Sequence, residues 1–149
     1  MSSAPLSEAP FVEAKLRVLY ADTDAMGVVY HGNYFRYFEA SRGEFLRSRG
    51  TSYRAMEAQG TFIPMVDVQC RYHSPAKYDD VLVIKATVDE VRGASFAFVY
   101  EVRREGESAL VATGRTVHAC INGDGRPVRL TPAMVELLGG PRKGSPSRS

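Results

Sequence analysis

The sequence predicts a single α+β domain in which one long helix packs against an antiparallel sheet of five or six strands. Only one long segment has the 3.6-residue period of a helix, whereas several runs alternate apolar and polar residues in the manner of half-buried strands. Turn-rich segments separate these runs, and no internal repeat or linker interrupts them. With 149 residues, 44% of them hydrophobic, the chain is suited to one hydrophobic core, and we expect the domain to span residues 11–138.

The strands are predicted from two-residue alternation. The first is VEAKLRVLY at residues 12–20, and further runs cover residues 62–72, 82–88, 96–102 and 110–121. The predicted apolar faces are Phe62, Pro64, Val66, Val68, Cys70 and Tyr72 in the second run, Leu82, Ile84, Ala86 and Val88 in the third, and Phe96, Phe98, Tyr100 and Val102 in the fourth. The segments SPAKYDD, RGAS, REGES and NGDGRP supply turns around these strands.

The long helix is predicted over residues 33–47. Its apolar positions recur at spacings of four, three and four, and they are Tyr34, Phe38, Ser41 and Phe45. The opposite side carries Arg36, Glu39, Gly43 and Arg47. Two short helices, over residues 51–58 and 132–138, complete the predicted elements.

Composition limits the classes of function. A formal net charge of +2 and three basic residues in the tail, Arg142, Lys143 and Arg148, are a weak basis for binding nucleic acid. No segment has the features of a signal peptide or the length of a membrane span, so we expect a cytoplasmic protein with disordered tails at residues 1–10 and 139–149. The two cysteines, Cys70 and Cys120, lack zinc-site spacing and are expected to be buried free thiols. No cofactor and no metal are predicted.

The stretch YADTDAMGVVYHGNY, residues 20–34, concentrates two acids, two glycines and a histidine between the first strand and the long helix. Taken alone, an aspartate in this position is ordinarily a cap or turn residue. Gly27 permits a tight turn, and the N–H groups at the start of a helix have no partner within that helix.

A longer pattern around this stretch resembles a known family. From Arg17, the sequence RVLYADTDAMGVVYHGNY is similar to the signature of the 4-hydroxybenzoyl-CoA thioesterase family. Downstream, EASRGEFLR, YHSPAKYDDVLVI and VRGASF resemble bacterial acyl-CoA thioesterases of the type associated with the Tol-Pal system, so the resemblance covers residues 12–138. It implies the hotdog fold, in which the sheet wraps the long helix, and hydrolysis of an acyl-CoA substrate.

The resemblance also implies roles for individual residues. Asp24 corresponds to the catalytic carboxylate, acting either as a nucleophile or as a general base for water. The backbone around Gly27, Tyr30 and His31 would bind the thioester oxygen, with the His31 N–H as the main donor. The His31 imidazole would position water or assist the leaving thiolate.

Other polar residues have simpler interpretations. We expect Asp22 to orient the loop through hydrogen bonds. Glu39 and Glu44 are either additional acids of the site or partners of Arg42 and Arg47 at helical spacing, and the second interpretation is favoured. His73 and His118 are expected to be packing or surface residues.

The phosphates of CoA require basic partners. By resemblance, Arg92, Ser95 and Arg129 contact the CoA tail, since guanidinium groups suit phosphate oxygens. Gly93 and Ala94 replace further basic residues of the hydroxybenzoyl enzyme, and Ile63 replaces a threonine, which leaves aromatic and aliphatic acyl groups open.

Three alternatives remain at this point. The chain could act on acyl carrier protein thioesters at the same site, or be a non-catalytic hotdog binding or assembly protein. A metal hydrolase built on Asp22, Asp24 and His31 has a small ligand set.

The resemblance and the need to cover an open sheet edge both predict a homodimer, paired further into a homotetramer.

Overall fold

The computed structural model describes residues 9–145 and has one five-stranded antiparallel sheet in the order β1-β3-β4-β5-β2. The strands are β1 (Phe11–Arg17), β2 (Met65–Tyr72), β3 (Val81–Val91), β4 (Ser95–Arg104) and β5 (Leu110–Ala119). The helices are α1 (Asn33–Ser48), α2 (Tyr53–Ala58) and α3 (Pro132–Leu137). The predicted architecture of one long helix and five or six strands is therefore confirmed, with five strands.

The α1 helix packs its predicted apolar stripe against the sheet. Tyr34, Phe38, Ser41 and Phe45 are all buried. The Phe38 ring stacks on Tyr100 of β4 with centroids 4.3 Å apart, and it lies over Gly114 of β5, where a Cβ atom would come within 2.4 Å of the ring. The absence of a side chain at Gly114 therefore lets the Phe38 ring lie close against the sheet.

The polar side of α1 differs from the prediction at Gly43, and Arg42 does not form the expected pair with a helical glutamate. Gly43 is buried rather than exposed, because the Arg47 guanidinium folds over it, 3.2 Å from where a Cβ atom would stand. Arg47 also pairs with Glu44 at 2.8 Å, which confirms one of the predicted helical pairs. Arg42 instead turns into the core and is 7% exposed.

Buried Arg42 begins a hydrogen-bonded chain across the core. Its Nη1 donates to Tyr100 Oη (3.1 Å), which contacts Thr116 Oγ1 (2.6 Å), which contacts His118 Nε2 (2.9 Å), and His118 Nδ1 lies 3.3 Å from the Ile63 carbonyl oxygen. A carbonyl only accepts, so the His118 Nδ1 that faces the Ile63 carbonyl carries a proton. Burial, and next the charge of Arg42, lower the pKa of His118 to about 4, so near pH 7 the imidazole is neutral and its Nε2 accepts from Thr116 Oγ1.

The strand faces follow the predicted alternation in β3 and β4. Leu82, Ile84, Ala86 and Val88 are buried, as are Phe96, Phe98, Tyr100 and Val102. The second strand begins later than predicted, at Met65, because Phe62 forms an isolated bridge with Ile121. Both cysteines are free, Cys120 buried and Cys70 half-buried.

Strand β2 forms one edge of the sheet. It pairs with β5 on one side, and within residues 9–145 no strand pairs with its other side. Met65, Val66 and Tyr72 leave apolar surface exposed along it. Such an open, partly apolar edge is a template for pairing with another chain.

Ordered structure continues past the boundary expected at residue 138. Arg142 exchanges backbone hydrogen bonds with Val91 at 2.9 and 3.2 Å, and Ser145 contacts Asp89. The rest of the predicted tails, residues 1–8 and 146–149, lies outside the described residues. In the described part of the chain, the helices are too short or too polar to cross a bilayer.

Candidate active site

The loop between β1 and α1 is shaped by a short-range turn. After a single 3-10 turn at Tyr20–Asp22, the Gly27 N–H donates to the Asp24 carbonyl (2.9 Å) and the Asp24 N–H donates to the Val28 carbonyl (2.9 Å). Gly27 has φ +80°, a left-handed conformation that glycine adopts without strain. The predicted tight turn at Gly27 is confirmed, and Asp24 stands at its first position.

Asp22 is committed to the interior of the loop. It is 4% exposed, its Oδ2 accepts from the Leu19 N–H (3.0 Å) and the Tyr37 hydroxyl (3.0 Å), and its Oδ1 accepts from the Arg36 guanidinium. Burial disfavours the carboxylate, but these donors outweigh it and hold the pKa of Asp22 below its ordinary value. The expected loop-orienting role matches this geometry.

Asp24 has a different environment. Its Oδ1 accepts only the local N–H of Met26, at 2.9 Å, and its Oδ2 has no hydrogen-bond partner within residues 9–145. The side chain is half-buried and borders a cavity of about 330 Å³. One carboxylate oxygen is therefore free to meet a molecule in that cavity.

The cavity lies between the start of α1 and the end of β2. It is lined by Asp24, Val28, Val29, His31, Tyr34, Tyr72, His73, Ser74 and Pro75. The Tyr34 and Tyr72 rings meet edge to face with centroids 5.3 Å apart, and burial raises the pKa of Tyr34 to about 12. The lining thus combines two tyrosines and two histidines with one carboxylate, that of Asp24.

Backbone donors at the helix start differ from the prediction. The Tyr30 N–H, expected to be unpaired, donates to the Asp22 carbonyl at 2.9 Å, and the Gly27 N–H is used in the turn. No acceptor among the described residues takes the N–H of His31 or Gly32. Gly32 precedes α1 without any side-chain cap, which leaves two consecutive N–H groups open.

The His31 side chain is exposed and stands at the mouth of the cavity. Its ring lies 4.3 Å from the Tyr30 ring, and its nitrogens have no hydrogen-bond partner in the described chain. The His31 carbonyl, in contrast, accepts a hydrogen bond from the Tyr72 hydroxyl at 2.8 Å. Sequence reasoning assigned Tyr72 only to a strand face, although YHSPAKYDD, which contains it, was one of the resembling segments.

The predicted CoA-binding residues form a separate cluster. Arg92, Ser95 and Arg129 meet at the turn between β3 and β4: the Arg92 N–H donates to the Ser95 carbonyl (2.8 Å), and the Arg129 guanidinium covers Gly93. Arg92 also pairs with Glu90. This turn follows the end of β3, whereas the Asp24 loop contacts Ala76, before β3 begins. At about 3.3 Å per residue, the length of β3 places the β3–β4 turn roughly 30 Å from the Asp24 loop.

Of the other candidate acids and histidines, Glu39 and His118 do not join the site, whereas His73 does. Glu39 is exposed, His118 is buried in the core, and His73 lines the cavity while contacting Thr113 Oγ1 at 3.1 Å. Asp22, Asp24 and His31 do not converge, because both Asp22 oxygens face Leu19, Arg36 and Tyr37. Across residues 9–145, no group of three or more His, Cys, Asp or Glu side chains is arranged to hold a metal ion.

Known proteins are similar to this chain in both sequence and fold. The family model described as the thioesterase-like superfamily matches residues 18–138. The acyl-CoA thioesterase YbgC of Haemophilus influenzae is 37% identical over 116 residues, covering 76% of this chain and 83% of that protein. The crystal structure of a hypothetical protein from Aquifex aeolicus matches with a TM-score of 0.81 at 37% identity, covering 85% of this chain and 98% of that one.

The structural likeness extends to a substrate-bound enzyme. A 4-hydroxybenzoyl-CoA thioesterase mutant complexed with 4-hydroxybenzoyl-CoA matches with a TM-score of 0.79 at 26% identity, covering 87% of this chain and 99% of that one. The resemblance inferred from the motif and the predicted hotdog fold are both confirmed. The chain belongs to the thioesterase-like superfamily of hotdog-fold enzymes.

Proposed function

We propose that the chain hydrolyses acyl-CoA thioesters, with Asp24 as the reacting carboxylate and the His31 N–H as an oxyanion donor. One observation carries this proposal: a carboxylate with a free oxygen and the uncapped start of α1 border the same cavity. Acyl transfer needs both a nucleophile or base and a fixed donor for the developing oxyanion. The acyl-CoA thioesterase of H. influenzae supports the class of substrate.

Two routes fit this geometry. As a general base, Asp24 takes a proton from water, whose oxygen attacks the carbonyl carbon; the tetrahedral intermediate collapses and expels CoA as the thiolate, which is then protonated. As a nucleophile, a carboxylate oxygen of Asp24 attacks the carbon and expels the thiolate, and water hydrolyses the resulting mixed anhydride. Both routes return Asp24 to its starting state and consume one water.

The helix start favours the anionic intermediate. Open N–H groups at the N-terminus of α1 carry the positive end of the helix dipole, which stabilises negative charge. These groups are backbone atoms held by α1, so they need little reorganisation during the reaction. The thioester oxygen would therefore point toward His31, and the reacting carbon would lie beside Asp24.

The acyl group would occupy the aromatic cavity. A volume of about 330 Å³ and the tyrosines Tyr34 and Tyr72 suit an aromatic acyl group or an aliphatic one of short to medium length. The likeness to the 4-hydroxybenzoyl-CoA enzyme favours the first, and the replacements at Ile63, Gly93 and Ala94 keep the second open.

A complete site would need two chains. Arg92, Ser95 and Arg129 can assist the Asp24 site only if a second chain brings its own β3–β4 turn beside the first chain's loop, because within one chain the length of β3 separates them. The open edge of β2 provides a surface on which a homodimer would form. Pairing of two such dimers would give the expected homotetramer.

The proposal is tested with a panel of thioesters of different acyl length and aromaticity, presented both on CoA and on acyl carrier protein. A thiol reagent would follow release of the free thiol. We expect CoA thioesters to be hydrolysed at rates that depend on the acyl group. Hydrolysis of carrier-protein thioesters alone would assign the alternative substrate, and no hydrolysis of any member would leave only a binding role.

A further inference from the structure

Building on this proposed function, we propose that the Gly32 N–H joins the His31 N–H as an oxyanion donor, and that Tyr72 is a positioning residue that fixes the Gly32 N–H through the His31 carbonyl. Its hydroxyl donates to that carbonyl oxygen at 2.8 Å. Tyr72 ends β2, whereas His31 precedes α1, 41 residues away along the chain. The hydrogen bond therefore joins the sheet to the helix start beside Asp24.

The His31 carbonyl does not accept the hydrogen bond that a regular α-helix would give it. In a regular α-helix it would accept from the Phe35 N–H. Instead, the Phe35 N–H lies 3.3 Å from the Gly32 carbonyl oxygen, and the nearest helical donor to the His31 carbonyl is the Tyr34 N–H at a long 3.4 Å. The Tyr72 hydroxyl is thus the shortest partner of this carbonyl, and it competes with extension of the helix toward His31.

Fixing this carbonyl also fixes the donors next to it. The His31 carbonyl and the Gly32 N–H belong to one planar peptide unit, so rotation of one moves the other. The Tyr30 carbonyl, in the same peptide as the His31 N–H, accepts from the Asn33 N–H at 2.9 Å. Both open N–H groups therefore belong to peptides whose carbonyls are held, and Tyr72 holds the second.

A hydrogen bond to a carbonyl also polarises its peptide. When the His31 carbonyl oxygen accepts a hydrogen bond from Tyr72, electron density moves toward that oxygen. The Gly32 N–H, which belongs to the same peptide, becomes a stronger donor. Partial burial raises the pKa of the Tyr72 phenol, so it stays protonated and able to donate under ordinary conditions.

Tyr72 is itself well anchored. Its backbone pairs with Ala112 of β5, and its ring meets the Tyr34 and His31 rings edge to face at 5.3 and 6.2 Å. Because these contacts use the ring, Tyr72→Phe leaves the packing, while it removes the hydroxyl's hydrogen bond to the His31 carbonyl and its contact with the Cys70 thiol. Tyr78→Phe is the matched control: Tyr78 is exposed, its ring meets Tyr20 at 5.8 Å, and its hydroxyl has no hydrogen-bond partner within residues 9–145.

The first measurement separates kcat from KM for an acyl-CoA that the wild type hydrolyses. A donor that strengthens with oxyanion charge acts on the transition state, so Tyr72→Phe should lower kcat at least about fivefold while KM changes by less than about twofold. Tyr78→Phe should match the wild type. Melting temperatures recorded for both variants will exclude unfolding as the cause.

The second measurement reports directly on the donor. In an Asp24→Asn background the bound substrate is expected to persist, and isotope-edited infrared difference spectra give the stretching frequency of its thioester carbonyl. Adding Tyr72→Phe should raise that frequency, because the carbonyl is then less polarised, whereas adding Tyr78→Phe should not.

The inference requires both effects. A smaller loss in kcat, or a loss in kcat with an unchanged carbonyl band, overturns it, because Tyr72 would then act on packing alone. These outcomes differ from failure of the proposed function, in which the wild type itself would hydrolyse no acyl-CoA.

Discussion

Asp22 and Asp24 are separated by one residue, yet only Asp24 keeps a carboxylate oxygen without a partner. The Oδ atoms of Asp22 accept from Leu19, Arg36 and Tyr37, whereas Asp24 accepts from its neighbour Met26 alone. The first acid ties the loop to α1, and the second faces the cavity. The two acids of this short motif therefore have different roles.

Asp22→Asn should lower the free energy of unfolding and have a smaller effect on turnover. The new amide nitrogen would replace an oxygen that now accepts from backbone and side-chain donors, so a buried donor would lose its acceptor. We expect the free energy of unfolding to fall by about 1–3 kcal/mol, measured by urea denaturation. Turnover at saturating substrate should fall only as far as loop order does. A variant as stable as the wild type but inactive would instead give Asp22 a chemical role.

His118 predicts a pH dependence of stability. Burial, and next the charge of Arg42, lower the pKa of His118 to about 4 from an ordinary value of 6.5. Between these values the unfolded chain binds the proton and the folded chain does not, so stability is full above pH 6.5 and declines as the pH falls toward 4. The decline from this residue should be roughly 3 kcal/mol.

His118→Gln is the control for that prediction. Glutamine can donate to the Ile63 carbonyl and accept from Thr116 without titrating, so the variant should lack this part of the decline. The measurement is the urea midpoint of both proteins from pH 4 to 7. Parallel curves would show that His118 does not titrate differently on folding.

The arginine cluster predicts a split between substrates. If Arg92 and Arg129 bind CoA phosphates, replacing either by Ala should raise KM for a CoA thioester roughly five- to tenfold, corresponding to about 1 kcal/mol or slightly more. The same variants should behave as wild type on a truncated pantetheine thioester. Arg126→Ala, on the same exposed loop as Arg129, is the matched control. Equal increases in KM on both substrates would show that Arg92 and Arg129 do not bind the CoA phosphates.

The open edge of β2 predicts self-association. Light scattering at micromolar concentration should give a dimer or tetramer for the wild type. Val66 is 61% exposed on this edge, so Val66→Asp should shift the protein toward monomer by placing repelling charges where two edges meet, and turnover should fall with it. An active wild-type monomer would contradict both the assembly and the two-chain site.

The sequence predicted those features that depend on local period. The apolar stripe of α1 and the inner faces of β3 and β4 were correct because alternation along one element decides which side chains meet the core. The turn at Gly27 was likewise predictable, since its cause lies within four residues.

Features that depend on distant pairing could not be read in the same way. The Tyr30 N–H is taken by the carbonyl of Asp22, and Tyr72 reaches His31 only because β2 ends beside the start of α1. Arg42 occupies a polar position by sequence, but hydroxyls from Tyr53 and Tyr100 make its burial possible. Predicting that Arg92 lies far from Asp24 would have required the full length and direction of β3 in the folded sheet.

The central claim is that Asp24 is the reacting carboxylate, and Asp24→Asn tests it most directly. Asparagine can still accept from the Met26 N–H, so the turn should persist, but its amide cannot serve as base or nucleophile. The measurement is turnover at saturating acyl-CoA, with melting temperature and oligomeric state recorded beside it. We expect a folded, correctly assembled variant whose kcat is reduced by about 10²–10⁴-fold, while Asp22→Asn loses much less. A folded Asp24→Asn variant that keeps more than about a tenth of wild-type turnover would contradict the claim.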